Sequence, residues 1–257
     1  MTKIFDQIYV KAILGLGDAI TLKPLIAQKS SEYHCLFWPA IQSHWKTVCN
    51  IFADVPNVKV VVYESEEAEQ QFILENSLPT MDLRGIVQRR FIHYNQGQGS
   101  SSVAVNYDRQ IYEYFGVPYS TRYTAWSAKF DEDAAQRLCT ELNPSGEPYL
   151  LWHNQISYAL GGTPIDLETY RREAQLPPLK IIHVSERTDN LLDWSLMIAK
   201  AEEIHCVTSS FHALVDSLIP LTKAQLFYHD IRANALLQVN CNANNRRWRV
   251  VHYEKKI

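Results

Sequence analysis

The stretch Gln7 to Pro24, QIYVKAILGLGDAITLKP, limits what this chain can fold into more than any other part of it. It first alternates and then runs apolar through Ile8, Val10, Ala12, Ile13 and Leu14, the pattern of a strand entering the middle of a sheet. Gly15-Leu16-Gly17-Asp18 follows as a tight turn, whose two glycines permit positive φ or close backbone approach. Asp18 suits a helix cap, and Ile20, Leu22, Leu25 and Ile26 supply the helix. The helix is expected to start between Asp18 and Thr21. Pro24 then falls in the first turn, where its missing N–H costs nothing; deep in a helix a proline costs about 3 kcal/mol. In a wound α/β sheet such a turn faces the crevice where ligands bind. GLGD lacks the third glycine of GxGxxG, so a nicotinamide-binding turn is a poor match.

The same grammar repeats along the chain. Tyr33 to Pro39 and Val58 to Tyr63 read as strands, with Ile41 to Phe52 between them helical or irregular. Ser65 to Asn76 reads as a helix opened by a capping serine and acidic residues. Three βα-like units in a row imply a parallel sheet, with Phe91 to Tyr94 as a fourth short strand. Asn95 to Ser102, NQGQGSSS, reads either as a surface loop or as a lid ordered by ligand. A helix over Asn106 to Gly116 precedes a linker and a polar helix, Asp131 to Leu142.

A second series then begins. Tyr149 to His153, Leu179 to Val184, Glu203 to Thr208, Gln225 to His229 and Trp248 to Tyr253 read as strands, with helices at Leu191 to Ala201 and Phe211 to Leu218. The expected fold class is therefore α/β, with two Rossmann-like domains, 1–125 and 126–257, facing a cleft.

Composition excludes several alternatives. The formal net charge of −3 offers no basic surplus for a general nucleic-acid binder. MTKIFDQIYV has no apolar signal core, and no apolar run approaches the roughly 20 residues that span a bilayer, so a cytoplasmic protein without a transmembrane segment is expected. Cys35, Cys49, Cys139, Cys206 and Cys241 are scattered and never spaced CxxC, which argues against a disulfide framework or structural zinc.

The most informative stretch of the second half is Ala201 to Leu218, AEEIHCVTSSFHALVDSL. A strand runs into Thr208-Ser209-Ser210, and Phe211, Leu214, Val215 and Leu218 form one buried helical face. Hydroxyls and free N–H groups meet there at a helix start, which suits a diphosphate; a serine acting only as a cap is the plainer alternative. His153-Asn154 and Ser185-Glu186-Arg187 end neighbouring strands at the same edge. Arg187 suits a phosphate and Glu186 ribose hydroxyls, although an isolated pair of this kind is more often a solvated loop. His183, inside its strand, reads as a core histidine. Asp131-Glu132-Asp133 spells the Asp-x-Asp of metal-dependent transferases, but at a helix start, where capping explains it; no metal is expected.

GLGDAITLKP resembles the glycine-aspartate loop and following proline of the heptosyltransferase-like glycosyltransferases, which have the GT-B fold. DNLLDWSLMIAKAEEIHCVTSSFHALVDSL resembles their second-domain unit. The chain departs from that pattern in having Thr208-Ser209-Ser210 where the family usually has Asp-Ser/Thr-Gly, in placing His212 one position earlier, and in being short for a GT-B enzyme. The resemblance implies transfer of a sugar from a nucleotide-sugar donor, bound by the second domain, to a hydroxyl of a glycan or other acceptor bound by the first. It implies Asp18 as general base, with a pKa that desolvation raises towards the working range. Donor contacts are expected from Gly17, His153, Asn154, Ser185, Glu186, Arg187, Thr208, Ser209, Ser210, Phe211 and His212, with no cofactor beyond the nucleotide-sugar substrate. A nucleotide-sugar epimerase and a non-catalytic binding protein are the alternatives on the same fold.

Overall fold

A computed structural model describes residues 5–12, 15–86, 107–155, 165–185, 187–230 and 248–253. The strand expected at Phe91 to Tyr94, the loop Asn95 to Ser102, and Glu186 lie outside the described residues. The chain divides into two compact units. Among the described residues one unit takes everything up to Phe130 together with Thr188–Leu192, and the other takes the rest.

The first unit is a parallel four-stranded sheet in the order β3-β2-β1-β4, built from β1 (Phe5–Lys11), β2 (Tyr33–Ile41), β3 (Val58–Tyr63) and β4 (Thr80–Asp82). The sequence reading missed β4, because three residues straight after Pro79 are too few to show a period. Pro39 sits in an inner strand, past the last β1 partner at Phe37, where its lack of an N–H is tolerated.

Helix α1 (Leu16–Ser30) packs against α2 (Trp45–Phe52), α4 (Tyr107–Tyr114) and α5 (Thr121–Thr124), while α3 (Glu66–Glu75) covers β3. Because neighbours surround it, α1 is buried almost all round, as its apolar Ala19, Ile20, Leu22, Leu25 and Ile26 require. Even Lys23 is only 2 % exposed, its ammonium reaching Asp54 at 2.9 Å and the Ser127 hydroxyl.

Two expectations about α1 are corrected. It begins at Leu16 with Gly15 as its N-cap, so Asp18 is the third helical residue and Pro24 lies in the interior. A proline at 24 removes the N–H that would bond the carbonyl of Ile20. The indole Nε1 of Trp126 donates to that carbonyl at 2.8 Å, and the Tyr112 hydroxyl donates to the next one, of Thr21, at 3.1 Å. Trp126, far away in sequence, thus takes over the bond that the helix lacks, and Tyr112 adds one beside it.

The second unit is a parallel sheet of five strands in the order β6-β5-β7-β8-β9: β5 (Tyr149–His153), β6 (Lys180–His183), β7 (Glu203–Cys206), β8 (Gln225–Asp230) and β9 (Trp248–His252). Its helices are α6 (Glu132–Leu142), α7 (Leu167–Glu173), α8 (Ser195–Lys200) and α9 (Ser210–Ser217). The sequence reading missed α7, capped by Asp166, whose side chain accepts the Thr169 N–H at 3.0 Å. Leu167 and Tyr170 of α7 pack on Leu150 and Trp152 of β5. His183, read as a core histidine, is exposed, because β6 is an edge strand. No described helix is long and apolar enough to cross a membrane.

The Trp126 contact gives a thermodynamic cycle. Trp126→Phe is expected to cost about 1–2 kcal/mol in urea unfolding when Pro24 is present, and less in a Pro24→Ala background, where the new residue returns an N–H to the Ile20 carbonyl.

Candidate functional site

In a parallel sheet every strand ends at the same edge, and the helix that follows points its free N–H groups there. In the first unit this edge carries the loop after β1. Gly15 is extended at φ −105°, and its N–H donates to the Asp18 carboxylate at 3.0 Å, closing the start of α1. A side chain at 15 would crowd that carboxylate, since a Cβ there would stand 3.2 Å from Asp18 Oδ2. Asp18 is 7 % exposed, and Gly17 beside it is half-buried. A shallow apolar depression adjoins the loop, lined by Ala12, Gly15, Leu16, Ala40, Ile41 and His44 among others. Ile41 and Trp45 are both well exposed nearby in sequence.

In the second unit the ends of β5 and β7 come together, as the register pair His153 and Cys206 requires. Ser209 caps α9, accepting the His212 N–H at 3.1 Å, and its hydroxyl lies 3.3 Å from His153 Nδ1. The His153 ring stacks on Phe211 with centroids 5.3 Å apart, and Phe211 meets Trp194 edge-on. Helix geometry leaves the N–H groups of Ser210 and Phe211 without an acceptor in the helix. Burial of its ring pushes the His153 pKa down to about 4, so the imidazole is neutral at pH 7.

Of the donor contacts expected from sequence, His153, Thr208, Ser209, Ser210 and Phe211 therefore gather around one helix start. Asn154 is exposed just beyond β5, and Ser185 is half-buried beyond β6, the strand next to it. Two residues stand differently. Exposed Arg187 lies 3.5 Å from Glu141 on α6, and the His212 ring, 1 % exposed, packs on Tyr228 and Trp248 in the core. His212 sits next to the cap by its backbone, while its place on the helix turns the ring inward. Asp131 caps α6, accepting the Ala134 N–H at 2.9 Å, so the Asp-x-Asp letters open a helix. The sequence reading passed over Glu203, His205 and His229, which share one face of the sheet. Glu203 and His205, two apart on a strand, were the available signal.

The two parallel α/β units match the GT-B fold, as the likeness to a solved structure shows. A family 9 glycosyl transferase from Veillonella parvula has a similar structure, with a TM-score of 0.55 at 12% sequence identity, covering 96% of this chain and 87% of that one. E. coli heptosyltransferase WaaC with ADP-2-deoxy-2-fluoro heptose aligns with a TM-score of 0.46 at 12% identity, over 96% and 92% of the two chains. E. coli ADP-heptose lps heptosyltransferase II aligns at 0.46 and 9% identity, over 96% and 90%. The likeness to the Veillonella parvula protein is one of fold. No family model matches the sequence, and no curated protein matches it significantly.

The neutral, buried His153 fixes how this site responds to acid. Above pH 6.5 it is unprotonated whether the chain is folded or not. Between 6.5 and about 4 only the unfolded chain takes the proton, so stability falls as pH falls. An NMR titration of the His153 ring should give a midpoint near 4. The loss of unfolding free energy over that interval should be about 3 kcal/mol smaller in His153→Asn.

Proposed function

We propose that this chain is a glycosyltransferase that moves a sugar from a nucleotide-sugar donor to a hydroxyl of a glycan or other acceptor, without a metal ion. The observation that carries the reading is the start of α9. Ser209, Ser210 and the N–H groups of Ser210 and Phe211 are presented beside His153 at the C-terminal edge of the second sheet. The fold shared with a family 9 glycosyl transferase supports it. The second unit would hold the donor and the first the acceptor.

In the reaction, Asp18 takes the proton of the acceptor hydroxyl. The acceptor oxygen bonds to the anomeric carbon as the bond from that carbon to the phosphate oxygen breaks, and the electron pair leaves with the nucleoside diphosphate. A helix start suits that leaving group: its N–H groups point at the phosphate, and the helix dipole favours the negative charge. The neutral His153 can hold the Ser209 hydroxyl without adding charge of its own. Asp18 already accepts the Gly15 N–H, so the capping bond also fixes the direction of the carboxyl. One carboxylate thereby serves both the helix and the proton transfer.

The test separates the two units. Asp18→Asn is expected to lower transfer by about 10²–10⁴-fold while leaving nucleoside diphosphate binding intact. Ser209→Ala should weaken that binding about tenfold and remove about 1 kcal/mol of stability with the cap. Unchanged turnover in Asp18→Asn removes it as the base, and donor conversion with no acceptor present would favour an epimerase.

A further inference from the structure

On the face of the second sheet opposite His153, a line of buried polar groups runs from α7 to the last strand. Arg171 on α7 reaches the carboxylate of Glu203 and the carbonyl of Pro177. Glu203 lies 3.0 Å from His205 Nε2, His205 Nδ1 lies 2.9 Å from His229 Nε2, and His229 Nδ1 meets the hydroxyl of Tyr253, just past β9. Glu203, His205 and His229 are buried to within 1 %.

Chemistry fixes the protons along this line. Glu203 is held below the usual carboxylate range: burial pushes it up, but hydrogen bonds from His205 and Arg171 outweigh that, so it is an acceptor. His205 Nε2 must then carry a hydrogen for Glu203, the closer neighbour compared with Arg171 at 3.4 Å. His205 Nδ1 is left as an acceptor, so His229 donates from Nε2, and Tyr253 donates to His229 Nδ1. This order of donors and acceptors holds while both rings are neutral.

We propose that this line is a pH-operated clamp that holds β9 in the sheet at neutral pH and lets it go in acid. A proton added to His205 reverses the bonds from His205 to Tyr253 and leaves a buried imidazolium between Glu203 and Arg171, and one added to His229 reverses the bond to Tyr253. A second proton would set one N–H against another across the two rings. Glu203, 3.0 Å from His205, offsets part of a charge on that ring, whereas the other described groups packed on the two rings are aromatic or cationic. Tyr170 is on α7, Trp152 on β5, and Phe227 on β8, stacked on His205 at 4.3 Å with the Arg249 guanidinium of β9 over its ring. Burial holds His229 down to about 3 and His205 also below its ordinary value; a peeled-off β9 takes Tyr253 away from His229, so the pKa of that ring rises from there towards 6.5 in the opened state. Opening of β9 therefore gains up to about tenfold per pH unit below the pKa that His229 has in the opened state.

The strand also carries Trp248, whose indole donates to Asp216 on α9 at 2.9 Å and whose ring packs on His212. Release of β9 thus loosens the helix that begins at Ser209 and Ser210.

Hydrogen exchange measures this on the intact chain without any ligand, so the outcome is independent of the sugar-transfer reading. Corrected for intrinsic rates, protection of the amides of 248–253 should fall by up to about 30-fold between pH 7.5 and 5, while those of β5 and β7 hold. His229→Gln, which keeps one donor and one acceptor but cannot titrate, should flatten the response. Tyr253→Phe should weaken protection already at pH 7.5. Constant protection in the wild type, an equal loss in β5 and β7, or the same acid response in His229→Gln would each overturn the clamp, and Tyr253→Phe decides the matter should His229→Gln not fold.

Discussion

Parallel pairing is the constraint on which the structure depends. When every strand runs the same way, the strand ends collect at one edge and each returning helix presents its unbonded N–H groups there. Neither unit needs a special loop to make a polar site, because the topology supplies one at the start of α1 and another at the start of α9. The residues placed there then decide the character of each. Glycine and aspartate after β1 fold a carboxylate back onto its own backbone, and Thr208-Ser209-Ser210 after β7 surround free N–H groups with hydroxyls.

The helices that carry these starts are fixed by partners from elsewhere in the chain. Helix α1 contains a proline that on its own would weaken it, and Trp126 and Tyr112 supply hydrogen bonds at that point. In the second unit, Phe211 is gripped between His153 and Trp194, and Asp216 by Trp248. A helix start that frays loses the geometry of its N–H groups, and these contacts hold it in place.

The second sheet has two faces of different chemistry. On the α9 face His153 works as a neutral ring beside Ser209. On the α7 face Arg171, Glu203, His205, His229 and Tyr253 satisfy one another in a continuous line. Burying such a line is stable only while every donor meets an acceptor, which ties the last strand to the protonation of two rings.

The sequence by itself determined the described strands other than β4, their parallel arrangement in two series, and the hydroxyl-rich helix start, because period and capping residues act over a few neighbours. Short elements escaped it: β4 has three residues, and α7 is a seven-residue helix whose polar letters hide its buried face. Only the tertiary structure decided that Pro24 could lie inside α1, that the His212 ring faces the core, that Arg187 meets Glu141, and that Glu203, His205 and His229 form one line. Each of these turns on a partner from a distant segment, Trp126 for Pro24 and Trp248 for His212, and local spacing carries no record of which distant side chain completes a hydrogen bond or covers a ring.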